Sequence, residues 1–260
     1  MKYFFSDVDG TLLQNHKLDS ATVEVVRDFV KKGNKFILAT GRIDPDIVGI
    51  EKVLGFSGDY RISQNGAVIK DKDNNVIYKE LIPAEVVPAL TDYVFGLQNV
   101  TIEITEVNNR FATAKRHISY TYEFTTPVAI DLNIREKIPN LECTLFLILS
   151  DDVVLFKKIQ ADIQEKWGDK VYAVQTSPGC LEVISTKVSK GNAIAFLEQK
   201  LGLKKADIFV AGDSYNDVSM FEQYENSFGM KEGAADAISK AKNIVNNVAE
   251  VIEVINKHER

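Results

Sequence analysis

The stretch Phe4-Phe5-Ser6-Asp7-Val8-Asp9-Gly10-Thr11-Leu12-Leu13 carries an apolar segment straight into two carboxylates one residue apart. Its apolar residues are consecutive rather than alternating, which predicts a parallel strand over residues 3–8 buried on both faces. In extended backbone the side chains at i and i+2 point the same way, so Asp7 and Asp9 would face one spot just past the strand end. Two like charges so close repel and each resists burial, so the arrangement calls for a cation or a shared proton. A divalent metal is the economical answer. Gly10 lets the backbone leave the strand tightly, and Thr11 adds a hydroxyl. A lone Asp-x-Asp is also compatible with a solvated loop after a strand, so the rest of the chain has to decide.

Working outward, Asp19 or Ser20 caps a helix whose apolar stripe is Val23, Val26, Phe29 and Val30, with Gly33 placed to end it. Lys35 to Ala39 predicts a second buried strand ending in Thr40-Gly41-Arg42, and Asp44-Pro45 opens another helix. Such alternation implies a right-handed doubly wound sheet whose ligands sit beyond the carboxyl ends of the strands, which puts Thr40 at the rim of Asp7 and Asp9. A third strand, Tyr60 to Ser63, leads into Gln64-Asn65-Gly66-Ala67 and a hairpin of Val68 to Lys70 with Val76 to Lys79.

From Ala84 the pattern changes to helix, strand, strand, helix, strand, helix, strand, strand. A hairpin of Val100 to Thr105 with Arg110 to Ala114, a strand at Leu145 to Leu149 and a helix over Val153 to Trp167 are its clearest parts, followed by strands at Val171 to Gln175 and Leu181 to Ile184. Strand-helix alternation then resumes. A helix runs from Asn192 to Leu201, capped by Ser189 or Asn192, and the strand Asp207 to Ala211 ends in Gly212-Asp213-Ser214-Tyr215-Asn216-Asp217. A strand at Ser227 to Met230 and helices at Ala234 to Ala241 and Glu250 to Lys257 complete the chain. The expectation is a Rossmann-like core of residues 1–83 plus 187–260 with an α/β domain, 84–186, inserted at a surface loop.

Composition narrows the partners. With 260 residues, 45% hydrophobic and 26% charged, the chain has material for one large or two modest domains. A net charge of -6 offers no overall basic field for nucleic acid or an anionic membrane, so a small-molecule partner is expected. Cys143 and Cys180 lack metal-type spacing and read as packing residues in a reducing compartment. No apolar run approaches membrane-spanning length and the N-terminus shows no signal-peptide core, so the expected location is cytoplasmic.

Asp7-x-Asp9, Thr40, Lys190 and Asp213 with Asn216 and Asp217 all fall at predicted strand ends or helix starts. Together and in this order they suit phosphoryl transfer through a covalent aspartyl intermediate. A carboxylate attacking a phosphate dianion meets repulsion that a carboxylate-held Mg²⁺, a lysine ammonium and a hydroxyl relieve.

These motifs, with Asn65-Gly66-Ala67 and Ser189-Lys190-Gly191, resemble the haloacid dehalogenase-like hydrolases, specifically the Cof-type group of sugar-phosphate phosphatases, over nearly the whole chain. The resemblance implies a Rossmann-like core with a cap that closes over the site. It implies Asp7 as nucleophile and Asp9 as general acid, then base. Thr40, Gly41, Lys190 and Asn216 would hold the phosphoryl oxygens. Asp7, Asp213 and the backbone carbonyl of Asp9 would ligate Mg²⁺, with Asp217 behind them ordering water or positioning Lys190. Arg42 and Asn65 are candidate substrate contacts, although Arg42 could equally serve in a salt bridge to Asp44 or Asp46. A carboxyl at position 9 can protonate a leaving alkoxide and then activate water, which favours a phosphatase over the family's ion pumps and dehalogenases. A phosphomutase and a non-catalytic phosphoacceptor module are the alternatives.

The chain departs from the group's pattern at Lys231-Glu232-Gly233 and at Asn246-Asn247-Val248-Ala249, which puts substrate specificity in question. His16, His117 and His258 are scattered, with His117 set apart by its basic neighbours Lys115 and Arg116, and Pro178-Gly179-Cys180 reads as turn chemistry.

Overall fold

A computed structural model describes residues 1–115, 124–177 and 179–257. In chain order the elements begin with β1 (Tyr3–Ser6), α1 (Ser20–Lys31), β2 (Lys35–Leu38), α2 (Asp44–Leu54), β3 (Tyr60–Ser63), β4 (Val68–Asp71) and β5 (Val76–Lys79). There follow α3 (Val87–Phe95), β6 (Thr101–Glu106), β7 (Arg110–Ala112), β8 (Ala129–Ile130), α4 (Ile134–Lys137), β9 (Cys143–Leu149), α5 (Val153–Trp167), β10 (Val171–Ser177) and β11 (Cys180–Ser185). The chain ends with α6 (Lys190–Leu201), β12 (Ile208–Gly212), α7 (Val218–Gln223), β13 (Ser227–Met230), α8 (Ala235–Ile238), β14 (Asn243–Val245) and α9 (Val248–Lys257). It divides into two compact units, one of Met1–Tyr78, Tyr122–Phe124 and Ser189–Arg260, the other of Lys79–Thr121 and Thr125–Val188.

The first unit is built on a five-stranded sheet in the order β14-β13-β12-β1-β2, every pair parallel. Its apolar runs are unbroken because both faces are covered. Phe4 faces one core with Val26, Phe29, Phe36, Val251 and Ile255, while its neighbour Phe5 faces another with Ile37, Ile194, Leu197, Val210 and Phe221. Asp19 caps α1 by accepting from the Thr22 backbone N–H at 2.9 Å. A three-stranded sheet, β3-β4-β5, reaches the main sheet through a single parallel bridge between Ala39 and Ile62.

A buried charge cluster lies behind β3. The Arg61 guanidinium donates to Asp44 at 2.7 Å, and Lys70 reaches the other Asp44 oxygen at 3.1 Å. Asp44 is therefore occupied away from Arg42, so of the two salt bridges that the sequence offered to Arg42 the one to Asp44 is not made, while the Asp46 charge still acts on the guanidinium. The first residue of α6 is Lys190, ahead of the expected start at Asn192, because the Ser189 hydroxyl caps the helix by accepting from the Asn192 N–H at 3.1 Å. Three short elements, α7, β8 and β14, have no sequence signal long enough to betray them, and the expected helix over 234–241 shrinks to Ala235–Ile238 as the chain turns into the edge strand β14.

The second unit is a six-stranded sheet, β10-β11-β9-β6-β7-β8, antiparallel except for β7 with β8. Ile102, Ile104, Phe146, Ile148, Leu181 and Val183 pack with Leu90 and Val94 of α3 and with Phe156, Ile159 and Ile163 of α5. The sequence of β6 alternates accordingly, with Glu103 and Thr105 between the apolar positions. Among the described residues no helix is long and apolar enough to cross a membrane.

Candidate active site

The site is assembled by the loops that leave β1, β2, β3 and β12 and by the start of α6. Asp7 continues the parallel ladder past β1, its N–H donating to the Ala211 carbonyl at 2.9 Å, which delivers a buried carboxylate to the sheet's carboxyl rim. Lys190 meets it there. The ammonium is wholly buried, 2.5 Å from Asp7 Oδ1 and 2.6 Å from Asp217 Oδ1. Burial works against its charge, yet Asp217 and Asp7 together hold the lysine above its ordinary pKa. The other Asp217 oxygen accepts from the Asp213 N–H at 2.8 Å and the Ser214 N–H at 3.0 Å. Asp217 therefore anchors both the lysine and the loop that carries Asp213.

Asp213 receives the Thr11 hydroxyl at 3.2 Å. Gly10 is required beside it: with φ of +81° its backbone sits in the left-handed region, and a Cβ there would lie 2.3 Å from Asp213 Oδ2. Asp7, Asp213 and Asp217 each bring a carboxylate oxygen within 4.8 Å of the others. Burial, reinforced by Asp217, pushes Asp213 up to about 6, and burial also raises Asp7 well above the usual carboxylate range despite the opposing pull of Lys190. Three carboxylates facing one ammonium leave negative charge to be neutralised, and an all-oxygen donor set of this kind suits Mg²⁺.

That excess charge has a measurable consequence. The unfolded chain loses the Asp213 proton near pH 4 and the folded chain near pH 6, so the Asp213 contribution to stability is greatest below pH 4 and declines by on the order of 3 kcal/mol as pH rises through 6. A divalent cation held by the ionised cluster would offset this. The rise in melting temperature on adding Mg²⁺ is expected to be larger at pH 7.5 than at pH 5, as read by differential scanning fluorimetry; a rise independent of pH would contradict it.

Asp9 is arranged differently. Its carboxylate is gripped by Arg42, with Nε to Oδ2 at 2.8 Å and Nη2 to Oδ1 at 2.7 Å, a bidentate pair that the sequence did not disclose. Thr40 is buried, and its hydroxyl oxygen accepts from the Arg42 backbone N–H at 3.2 Å. Gln64, Asn65 and Gly66 all have positive φ, at 53°, 57° and 99°, giving a strained left-handed turn. It is stitched to the Thr40–Arg42 loop by Gln64 N–H to Arg42 O and Asn65 N–H to Thr40 O, both 2.9 Å. Asn65 Oδ1 in turn accepts from Asn216 Nδ2 at 2.9 Å, and a Cβ on Gly41 would lie 3.2 Å from the same oxygen. The remaining Asn216 oxygen is buried with no hydrogen-bond partner among the described residues.

The structure thus brings together Asp7, Lys190, Asp213 and Asp217, and ties Thr40, Gly41, Asn65 and Asn216 into adjoining loops. It puts the side chain of Asp217, rather than that of Asp9, among the clustered carboxylates. The segments that depart from the family pattern have local work. Gly233 is followed by the Ala234 N–H, which donates to the Asp213 carbonyl at 2.8 Å, and Asn247 Oδ1 accepts from the Glu250 N–H at 3.0 Å at the start of α9. His16 is exposed in a turn, and Arg116, His117, Pro178 and His258 lie outside the described residues.

An acidic cluster with a buried lysine, beyond the carboxyl ends of a parallel doubly wound sheet, defines an enzyme of the α/β class. The chain belongs to the haloacid dehalogenase-like hydrolase family, which it matches over residues 4–255. An uncharacterized protein of Mycoplasma capricolum is 30% identical over 274 residues, covering 96% of this chain and 98% of its own. A Haemophilus influenzae protein with a provisional phosphatase name is 28% identical over 220 residues, covering 83% of this chain and 79% of its own. Among solved structures, one from Thermotoga maritima superposes with a TM-score of 0.82 at 24% identity, covering 98% of this chain and 97% of the other. A haloacid dehalogenase subclass IIB sugar phosphatase superposes with a TM-score of 0.83 at 21% identity, covering 98% and 99%. At those identities the two structures share the fold.

Proposed function

We propose that the protein is a Mg²⁺-dependent phosphatase that hydrolyses a small phosphomonoester, a sugar phosphate or similar polyol phosphate, through a phosphoryl group carried on Asp7. The observation that carries this reading is Lys190, buried between Asp7 and Asp217 with Asp213 alongside. A fixed ammonium beside a buried carboxylate holds the charge that spreads over transferring phosphoryl oxygens. Asp7, Asp213 and the Asp9 backbone carbonyl would hold Mg²⁺, which when bound neutralises the phosphate dianion.

In the first step an Asp7 oxygen bonds to phosphorus as the bond from phosphorus to the leaving oxygen breaks, and the Asp9 carboxyl gives its proton to that oxygen. In the second, the Asp9 carboxylate takes a proton from water, the water oxygen bonds to phosphorus and the Asp7–phosphorus bond breaks. The net change is one water consumed, with the alcohol and inorganic phosphate released. Thr40, Gly41 and Asn216 line the phosphoryl group, and Asp217 holds Lys190 in place.

The test is phosphate release from a panel of phosphorylated sugars, polyols and nucleotides. Release is expected from a polyol or sugar monophosphate in millimolar Mg²⁺, with the rate falling at least about 10²-fold in excess EDTA and returning on re-addition of Mg²⁺. Undiminished release in EDTA would end the metal requirement. Transfer of the phosphoryl group to a second sugar position without phosphate release would replace hydrolysis with mutase chemistry.

A further inference from the structure

Arg42 sits on the loop after β2, far from Asp9 in sequence, yet its side chain is only 8% exposed and its fork meets a carboxylate that is 39% exposed. Burying a guanidinium there is costly unless its donors are well used, and the bidentate pair uses two of them on one residue. The arginine is itself held on both sides, its N–H on the Thr40 hydroxyl and its carbonyl accepting from Gln64. By contrast Asp9 stands just before Gly10, whose φ of +81° turns the chain away, and among the described residues the side-chain hydrogen bonds to its carboxylate are those from Arg42.

We propose that Arg42 is the positioning residue for Asp9 and not a contact for the substrate's phosphate. This rests on the phosphatase reading above. Two N–H bonds fix the plane of the Asp9 carboxylate. When Asp9 carries a proton, one oxygen still accepts from Arg42 while the other presents its O–H to the leaving oxygen, so proton delivery needs one hydrogen bond to be released rather than a swing of the side chain. The carboxylate left after donation is received by a guanidinium already in place. Attack by Asp7 on phosphorus does not use Arg42.

The two roles separate by leaving group. An alkoxide must be protonated as it departs, whereas p-nitrophenolate need not be, and kcat/KM reports the first, phosphoryl-accepting half of the reaction. Arg42→Met is expected to lower kcat/KM for an alkyl or sugar phosphate by about 10²-fold, the usual size of a general-acid contribution, with a loss at least tenfold smaller for p-nitrophenyl phosphate. Arg42→Lys, which keeps the charge and loses the fork, should fall between wild type and Arg42→Met. Combining Arg42→Met with Asp9→Asn should cost little more than Asp9→Asn alone, because the arginine acts through the aspartate. Equal losses on both substrates, or a rise in KM alone on both, would overturn the assignment and make Arg42 a phosphate contact. A folding defect in Arg42→Met, seen as a lowered melting temperature, leaves the Arg42→Lys comparison to decide. Wild-type protein inactive on both substrates would instead remove the phosphatase reading, and the Arg42 role with it.

Discussion

Asp7→Asn is expected to reduce phosphate release by at least about 10³-fold, to the background of the assay, on every substrate the wild type accepts. The amide matches the carboxylate in shape and is not a competent nucleophile toward phosphorus, so no covalent intermediate forms. Loss of folding would not account for the result. Asp7 is buried, and burial is the largest influence raising its pKa, so replacing it with a neutral group of the same size removes a desolvation cost. Lys190 keeps Asp217, 2.6 Å away. The melting temperature of the variant should therefore lie at or near that of the wild type. Near-normal turnover in Asp7→Asn would rule out covalent transfer to this residue.

Lys190→Met carries the largest expected effect on stability. The lysine is the buried cation to which the Asp7 and Asp217 side chains are paired, and a thioether leaves both carboxylates uncompensated in the interior. Breaking a buried pair in this way costs about 3–5 kcal/mol, a large part of the 5–15 kcal/mol that typically holds a domain together. Urea unfolding at pH 7.5 should show a midpoint well below that of the wild type. Because burial already favours the protonated form of Asp7, and removal of the lysine favours it further, the deficit should shrink as pH is lowered toward 4. A deficit that grows on acidification would mean the carboxylates are not the source. Activity should fall at least about 10²-fold even under conditions where the variant is folded, since the charge on the transferring oxygens loses its fixed counter-ion.

Much of the fold was readable because its signals are local. The unbroken apolar runs at Phe4-Phe5 and at Phe209-Val210 required a sheet covered on both faces, and the two cores that receive Phe4 and Phe5 are that covering. The Asp19-Ser20 pair and the left-handed Gly33 marked the two ends of α1 through one or two residues each. The elements that escaped notice, α7, β8 and β14, are two to six residues long, too short for any periodicity to register. The start of α6 was misplaced because Ser189 and Asn192 are both good caps, and only the hydroxyl's acceptance from the Asn192 N–H chooses between them.

For the site, the residue types and their order along the chain pointed to Asp7, Lys190 and Asp213, since each follows a strand or opens a helix of a doubly wound sheet whose ligand rim is set by topology. By itself the sequence determined which side chains stand at that rim and the strand-helix order that carries them there, because both depend on hydrophobic pattern and on single capping and turn residues. Only the tertiary structure decided how those side chains pair. That Asp217 holds Lys190, that Gly10 makes room for Asp213, and that Asp9 belongs to Arg42 rather than to the carboxylate cluster are outcomes of distance and burial between residues from 27 to 203 positions apart. Electrostatic partnership depends on separation in space and on exclusion of water, and neither is written in the spacing of residues along the chain.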